Sequence, residues 1–354
     1  MKMCNAFAHQ NMEICLIAKA YNKKILKNKL FERYGVKNNF NIQLIIIPKI
    51  KYGAFIFSLP QLFFKLSNIK KEEILIYGRD IYGISWAAFK GFRVIYESHG
   101  TPQNYLTYYL EKRLLRNKKL LKIVFISEAL RNIYNGLFDI SSINTQVCHD
   151  AADIPEQSYC KLINYCWPSS TQNTLQVGYI GSLYKGRGIE VIIKCAKLLP
   201  NIDFHIVGGN KKLVSYWRSQ VEKINNIYFH GFVLPKFTSY FRSKCDILLM
   251  PYQTELAIAG RNVNTSSWMS PMKLFEYMSS CKAIISSDLP VLREILNDSN
   301  SILVECNNVY AWIEAINYLR YEEHRMKIAQ KAYNDFISFY TWNERAKRIL
   351  ADIK

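Results

Sequence analysis

Apolar and polar positions follow two periods along this chain. Short uninterrupted apolar runs alternate with longer stretches in which apolar residues recur every third or fourth position. The first kind reads as buried strands, the second as helices with one apolar face. Strands are predicted over Glu13–Ile17, Ile42–Ile47, Ile74–Tyr77, Arg93–Tyr96 and Lys122–Ile126, with Gln146–His149 closing the series. The helices among them are Lys24–Arg33, Ala54–Leu66, Ile81–Phe89 and Tyr105–Arg116. A second series has strands at Leu175–Ile180, Asp203–Val207, Ile227–His230, Ile247–Met250, Ala283–Ser286 and Ser301–Val304. Its helices are Gly188–Leu198, Lys211–Lys223, Pro235–Ser243, Pro271–Ser279 and Val309–Leu319, and a further helix is expected to open at Pro290.

Continuous apolar strands separated by helices imply parallel sheets covered on both faces. The fold class is therefore α/β, with two doubly wound parallel-sheet (Rossmann-like) domains facing a cleft. The expected boundaries are 1–150 and 151–335, with 336–354 a C-terminal helix that braces the first domain. Pro155–Asn173, rich in Ser, Asn, Cys and Tyr, reads as the connection. The first series begins unusually. Met1–Gln10 has a helical pattern, and the first strand comes only at Glu13. A doubly wound domain normally opens on a central strand and a ligand-facing loop. That strand is expected to be missing here.

Charge adds a partner class. The net charge is +19, and residues 1–150 hold 23 Lys/Arg against 10 Asp/Glu. An excess this uneven implies an anionic partner or surface. Two segments concentrate it, Lys19–Lys37 and Tyr105–Lys122, both mixing basic residues with leucines and aromatics. Such amphipathic segments suit anionic lipid, and also suit plain surface helices. No nucleic-acid recognition motif accompanies them, so nucleic acid is not expected as a partner. The nine cysteines are scattered singly, with no CxxC and no Cys/His cluster. That pattern fits reduced thiols rather than disulfides or zinc. No apolar run is long enough to span a bilayer, and a secretory signal sequence is not expected.

Three segments carry candidate chemistry. In Ser270–Glu294 a helix offers Leu274, Phe275 and Met278 as an apolar face and Lys273, Glu276 and Tyr277 toward a cleft. A cation and a carboxylate three residues apart suit a nucleotide sugar, with Lys273 near diphosphate and Glu276 on ribose. An ordinary amphipathic helix with two solvated charges fits the same pattern. Val177–Glu190 is a buried strand, a glycine turn and a helix start. Gly181, Gly186 and Gly188 permit close backbone approach, and Lys185 and Arg187 place positive charge there. His99 follows the strand Arg93–Tyr96, where it can bond a sugar hydroxyl or steady developing charge. His205 and His230 lie inside strands and read as core or edge residues. No DxD or His/carboxylate cluster announces a metal.

These residues together resemble the family-four retaining glycosyltransferases of GT-B fold, of the bacterial polysaccharide and lipopolysaccharide type. The resemblance rests on SPMKLFEYMSSCKAIISSDLP and VGYIGSLYKGRGIE. IVGG at Ile206–Gly209, ILLMPY at Ile247–Tyr252, YESH at Tyr96–His99 and YTWNERAKRIL at Tyr340–Leu350 follow in the family's order. It implies that Glu276 holds the donor ribose as the second Glu of the family's paired-Glu motif, whose first Glu is replaced by Trp268. It implies that Ser270, Pro271, Met272, Lys273 and Leu274 present backbone amides, together with the Lys273 side chain, around the donor. Arg187 takes the place of a phosphate-binding Lys. Ser182 replaces the companion basic residue, with Lys185 as its substitute. Gly181 lines the loop, and Phe232 and Val233 cradle the base.

The resemblance further implies transfer from a nucleotide diphosphate sugar to a lipid-linked or glycan acceptor, with retention of configuration. His99, Arg187 and Lys273 would act in catalysis, and no metal or other cofactor would be required. The chain would be cytoplasmic, peripheral on the inner face of the cell membrane. Two rival readings remain: a nucleotide-sugar epimerase of the same architecture, and an inactive or truncated homologue.

Overall fold

A computed structural model describes residues 1–21, 27–49, 53–67, 69–155, 165–171, 173–256 and 264–353. The chain divides into two compact units, Met1–His149 with Trp342–Lys354, and Asp150–Thr341.

In the first unit, α1 (Lys2–Ala8) precedes β1 (Cys15–Ala20), α2 (Lys27–Tyr34) and β2 (Asn41–Ile46). β1 and β2 form a parallel pair. Next come α3 (Ala54–Leu66), β3 (Leu75–Gly78), α4 (Ile81–Phe89), β4 (Arg93–Ser98), α5 (Tyr105–Leu115), β5 (Leu120–Phe125), α6 (Glu128–Phe138) and β6 (Thr145–Val147). β3 to β6 pair in sequence order, all parallel. β4 and β5 are central and largely buried, while edge strand β3 is only half-buried along its length. Right-handed crossover helices join such strands, which explains the strict alternation of apolar runs and helical periods.

The second unit is built from β7 (Leu175–Ile180), α7 (Ile189–Leu198), β8 (Ile202–Val207), α8 (Lys211–Ser219), β9 (Ile227–Gly231), α9 (Thr238–Ser243) and β10 (Ile247–Met250). It continues with α10 (Met272–Met278), β11 (Ala283–Ser287), β12 (Ile302–Val304), α11 (Val309–Tyr318) and α12 (Glu322–Phe339). The strand order is β12-β11-β10-β7-β8-β9. This is the doubly wound order in which the chain reverses direction between β7 and β10. β8, β10 and β11 are buried at every position, so their apolar runs do not alternate. The chain then returns to the first unit as α13 (Trp342–Leu350), which packs with α1.

Two expectations change. The segment after Pro290 is a run of turns rather than a helix. Leu289, Val291, Leu292, Ile295 and Leu296 are buried there, while Arg293 is exposed and donates back to Asp288 Oδ2 at 2.7 Å across the turns. The connection expected at Pro155–Asn173 lies partly outside the described residues. What is described of it packs on the second unit: the Trp167 ring stacks on His205 with centroids 4.1 Å apart, and Ser170 N donates to Asp203 Oδ2 at 2.8 Å.

Candidate functional site

The glycine loop after β7 and helix α10 meet at the switch point of the second sheet. Ligands of open α/β sheets bind beyond the carboxyl ends of the strands at this point. Tyr277, expected to face a cleft, is instead fully buried. Its hydroxyl accepts from Ile180 N at 2.8 Å and lies 3.3 Å from Leu249 O, so it ties α10 to the ends of β7 and β10. Leu274 and Phe275 are also fully buried and anchor the helix. These three contacts aim Lys273 across the end of β7.

Lys273 Nζ sits 3.5 Å from the centroid of the Tyr179 ring and 5.1 Å from that of Tyr252. The atom is buried and has no hydrogen-bond partner among the described residues, although the side-chain stem is partly open. Arg187 stacks its guanidinium 5.0 Å over the same Tyr252, and its Nε is buried without a partner. Lys273 and Arg187 therefore share one aromatic ring, and among the described residues neither is paired with an anion. Burial drives the Lys273 ammonium well below the ordinary lysine range; Arg187 pushes the same way and Glu276 opposes. A diphosphate set between Lys273 and Arg187 would satisfy both and reverse that shift.

The loop has room for this because of two glycines. A Cβ on Gly181 would lie 2.6 Å from Lys273 Cε. Gly188 has φ +74° and caps α7 without a side chain; a Cβ there would lie 1.9 Å from Pro251 O. Gly186, also at positive φ, accepts a bond from Gln253 N at 2.9 Å, which joins this loop to the one after β10.

Glu276 lies one turn along α10 from Lys273 and remains partly exposed. Its carboxylate pairs with Arg242 Nη1 at 3.4 Å, and Arg242 also donates to Thr238 Oγ1 at 3.0 Å. Arg242 was not anticipated. It sits on α9, and only the fold brings it to Glu276. Tyr179 and Tyr252 were likewise not singled out; their signal is an aromatic at the end of β7 and another just after β10.

The remaining residues divide. Ser270 accepts from Asp150 N at 2.8 Å through its hydroxyl, and Pro271 caps α10. Met272 is exposed, and buried Leu274 supports the helix rather than presenting its side chain. Ser182 offers its carbonyl to Tyr179 OH at 2.7 Å. Lys185 points to solvent, so Arg187 and Lys273 form the converging basic pair. Phe232, 71% exposed, and half-buried Val233 follow Gly231 at the end of β9.

His99 belongs to the first unit. Its Nε2 bonds Glu97 Oε1, and Glu97 Oε2 pairs with fully buried Arg345 at 3.2 Å. Arg345 also donates to His149 O at 2.8 Å and Cys148 O at 3.1 Å. Burial pushes the Glu97 carboxyl up, but Arg345 and His99 outweigh it and hold the group at about 2. His99 is thus an imidazole oriented by an ionised carboxylate that is itself clamped. Beneath the same loop, Glu111 accepts from Tyr96 OH and Tyr134 OH, each at 2.9 Å.

His205 and His230, read from the sequence as core or edge residues, form a pair across β8 and β9, with Nδ1 and Nε2 3.0 Å apart. Burial lowers both, to about 3 and about 4, so neither carries charge at neutral pH.

Residues 174–320 match the family model described as Glycosyl transferases group 1. No curated protein matches the chain in sequence. Sucrose-phosphate synthase from Thermosynechococcus elongatus is similar in structure, with TM-score 0.72 and 13% identity over 98% of this chain and 90% of that one. Alr3699/HepE from Anabaena, solved with UDP and glucose, aligns with TM-score 0.69 and 14% identity over 99% and 96%. WaaG, a glycosyltransferase involved in lipopolysaccharide biosynthesis, aligns with TM-score 0.64 and 11% identity over 99% and 95%. At these identities the likeness establishes the fold, which is GT-B with two Rossmann-like domains.

Proposed function

We propose that this GT-B chain, whose residues 174–320 carry the group 1 glycosyl transferase match, transfers a sugar from a nucleotide diphosphate sugar to a lipid-linked or glycan acceptor, with retention. The observation that carries the donor half is the buried, unpartnered Lys273 ammonium beside Arg187 on the Tyr179 and Tyr252 rings. The complexes of Alr3699/HepE with UDP support a nucleotide donor for a chain of this fold.

In this reading the diphosphate takes the place between Lys273 and Arg187, and Glu276, oriented by Arg242, bonds the ribose hydroxyls. Negative charge grows on the diphosphate as the glycosidic bond breaks. Fixed cations stabilise that charge most where water is excluded. Entry of the anion favours the charged form of Lys273 against the burial that opposes it, and that charge faces the developing negative charge. The leaving phosphate helps to deprotonate the acceptor hydroxyl on the same face of the sugar. No protein nucleophile, metal or other cofactor is needed. On the first unit, His99 bonds a hydroxyl group and Glu97 fixes its ring.

Calorimetric titration with UDP and GDP tests the donor half. At least one should bind wild type, and Arg187→Ala should weaken that nucleotide by about tenfold or more, as expected for losing a charge-assisted bond. Failure of both nucleotides to bind would overturn the assignment. With donor sugar and acceptor, nucleotide diphosphate should be released only when acceptor is present. Conversion of the donor sugar without release would point to epimerisation instead.

A further inference from the structure

Helix α3 turns an apolar stripe outward. Its outward stripe is Ile56, Phe57, Pro60, Phe63 and Phe64, spaced as one face of a helix. Phe64 is 74% exposed. Its inward side holds Leu66 and Ser58, both buried, and Gln61, whose amide bonds Ile46 N at 3.0 Å and Ile46 O at 2.7 Å. A helix facing water carries polar residues on its outer side instead. The sequence pattern locates this helix but cannot say which side faces out.

The neighbouring helices extend the surface. Phe55 stacks on Tyr82 of α4 at 4.4 Å, and Phe63 meets Trp86 edge-on at 6.2 Å. No charged residue occurs in Ile81–Phe89, and its last residue, Phe89, is 72% exposed. α5 packs beside α4 and turns Tyr105, Leu106 and Tyr109 outward in its first turns, then Lys112, Arg113 and Arg116. Cations also lie over the rings themselves: Lys90 Nζ is 5.9 Å from the Phe63 centroid, and the Arg113 guanidinium is 5.7 Å from that of Tyr109.

We propose that the outer face of α3, α4 and α5 lies on an anionic lipid bilayer, with the rings in the interface and the basic residues on headgroup phosphates. Exposed aromatics rimmed by Lys and Arg are what such an interface takes up. α3 has 13 residues, about 20 Å of helix, and suits lying in the interfacial plane. No described helix is long and apolar enough to cross a membrane. The charge excess of residues 1–150 attracts an anionic surface. A second copy docked on the same face would bring two sets of Lys112 and Arg113 into one interface, which like charge opposes. The apolar stripe therefore extends the expected lipid contact beyond Tyr105–Lys122 to a helix that carries a single lysine.

This deepens the proposed function, on which it rests for the lipid-linked acceptor; its test is independent of the transfer chemistry. The full chain is floated with phosphatidylcholine vesicles, with and without phosphatidylglycerol, at low and high salt. Wild type should float with the anionic vesicles. Phe57→Ser/Phe64→Ser, both at exposed positions, should cut partitioning at both salts by about tenfold or more. Lys112→Glu/Arg113→Glu should abolish the advantage of phosphatidylglycerol at low salt. UDP affinity and circular dichroism should stay unchanged in both. Wild type that stays with the buffer would overturn the proposal, as would an aromatic double variant that floats like wild type. A chain that is dimeric in light scattering, that Phe57→Ser/Phe64→Ser makes monomeric and that binds no vesicles would assign the face to self-contact instead. Loss of UDP binding in wild type would sink the donor reading and leave this one standing.

Discussion

Arg345 on α13 and Glu97 at the end of β4 form an ion pair at 3.2 Å across 248 residues of sequence. Arg345 has no exposed surface, and its guanidinium also satisfies two carbonyls, those of Cys148 and His149. Removing one partner of a buried pair leaves an uncompensated charge and costs about 3–5 kcal/mol. Arg345→Met should therefore destabilise the chain by roughly that amount in urea unfolding. The pH dependence follows from Glu97. Its folded value, about 2, lies below its ordinary 4.5, so its stabilising contribution is complete above pH 4.5 and fades as pH falls toward 2. The gap between wild type and Arg345→Met should narrow over that window. Glu97→Gln keeps the shape but not the charge that orients His99. It should slow transfer while leaving UDP affinity unchanged, and a matching fall in UDP affinity would contradict a role through His99.

Glu111 behaves in the opposite sense. Burial raises its carboxyl from 4.5 to about 7, against the lowering effect of bonds from Tyr134 and Tyr96. The folded chain thus keeps a proton here that the unfolded chain releases above pH 4.5. Stability contributed by this group is full below pH 4.5 and declines as pH rises to about 7. Glu111→Gln, which does not titrate, should flatten the stability profile between those limits. An unchanged slope in unfolding free energy against pH would show that Glu111 titrates normally.

Sequence pattern located the strands well because the buried strands of a parallel sheet are continuous apolar runs, as in Ile247–Met250 and Ala283–Ser287. The placement of Lys273 and Glu276 on one helix was also legible, from their spacing of three. What escaped were partners supplied by distant segments. Arg242 reaches Glu276 from α9, Arg345 reaches Glu97 from α13, and Tyr96 and Tyr134 meet at Glu111 from different elements. None of these pairs has a local spacing to betray it. Tyr277 was misplaced for a related reason. A tyrosine beside two charged residues looks polar in a pattern, yet its ring fills the core and its hydroxyl is used by backbone.

The two glycines of the loop after β7 should respond differently to a methyl group. At Gly181 the obstacle is the end of the flexible Lys273 side chain, 2.6 Å from a Cβ at its nearest carbon. Gly181→Ala should displace Lys273 from the Tyr179 ring at little cost in stability, and UDP affinity should fall by about tenfold. At Gly188 the obstacle is backbone, Pro251 O at 1.9 Å, and φ is +74°. Gly188→Ala should destabilise by about 2 kcal/mol or more. Thermal unfolding together with UDP titration separates the two effects. Equal losses of stability in both variants would contradict the steric account.

Lys273 itself sets stability against binding. Its ammonium is buried over Tyr179, has no hydrogen-bond partner among the described residues, and is pushed toward the neutral form first by burial and then by Arg187. Methionine has a similar length and carries no charge, and it packs well against aromatic rings. Replacing a poorly compensated buried polar group by a matching apolar one is often neutral or stabilising by about 1–4 kcal/mol. Lys273→Met should therefore raise the unfolding temperature of the nucleotide-free chain while weakening UDP by about tenfold or more through loss of the diphosphate contact. The folded pKa lies below the usual lysine value, so the cost of keeping the group charged is felt below that value and disappears as pH rises through it. The stability advantage of Lys273→Met should accordingly shrink toward alkaline pH. At pH values between the lowered Lys273 value and the usual lysine value, wild type should take up a proton when UDP binds, seen as a dependence of the calorimetric heat on the buffer's ionisation enthalpy. Lys273→Met should show no such uptake at any pH in that range, and a variant that still did would place the proton on another group.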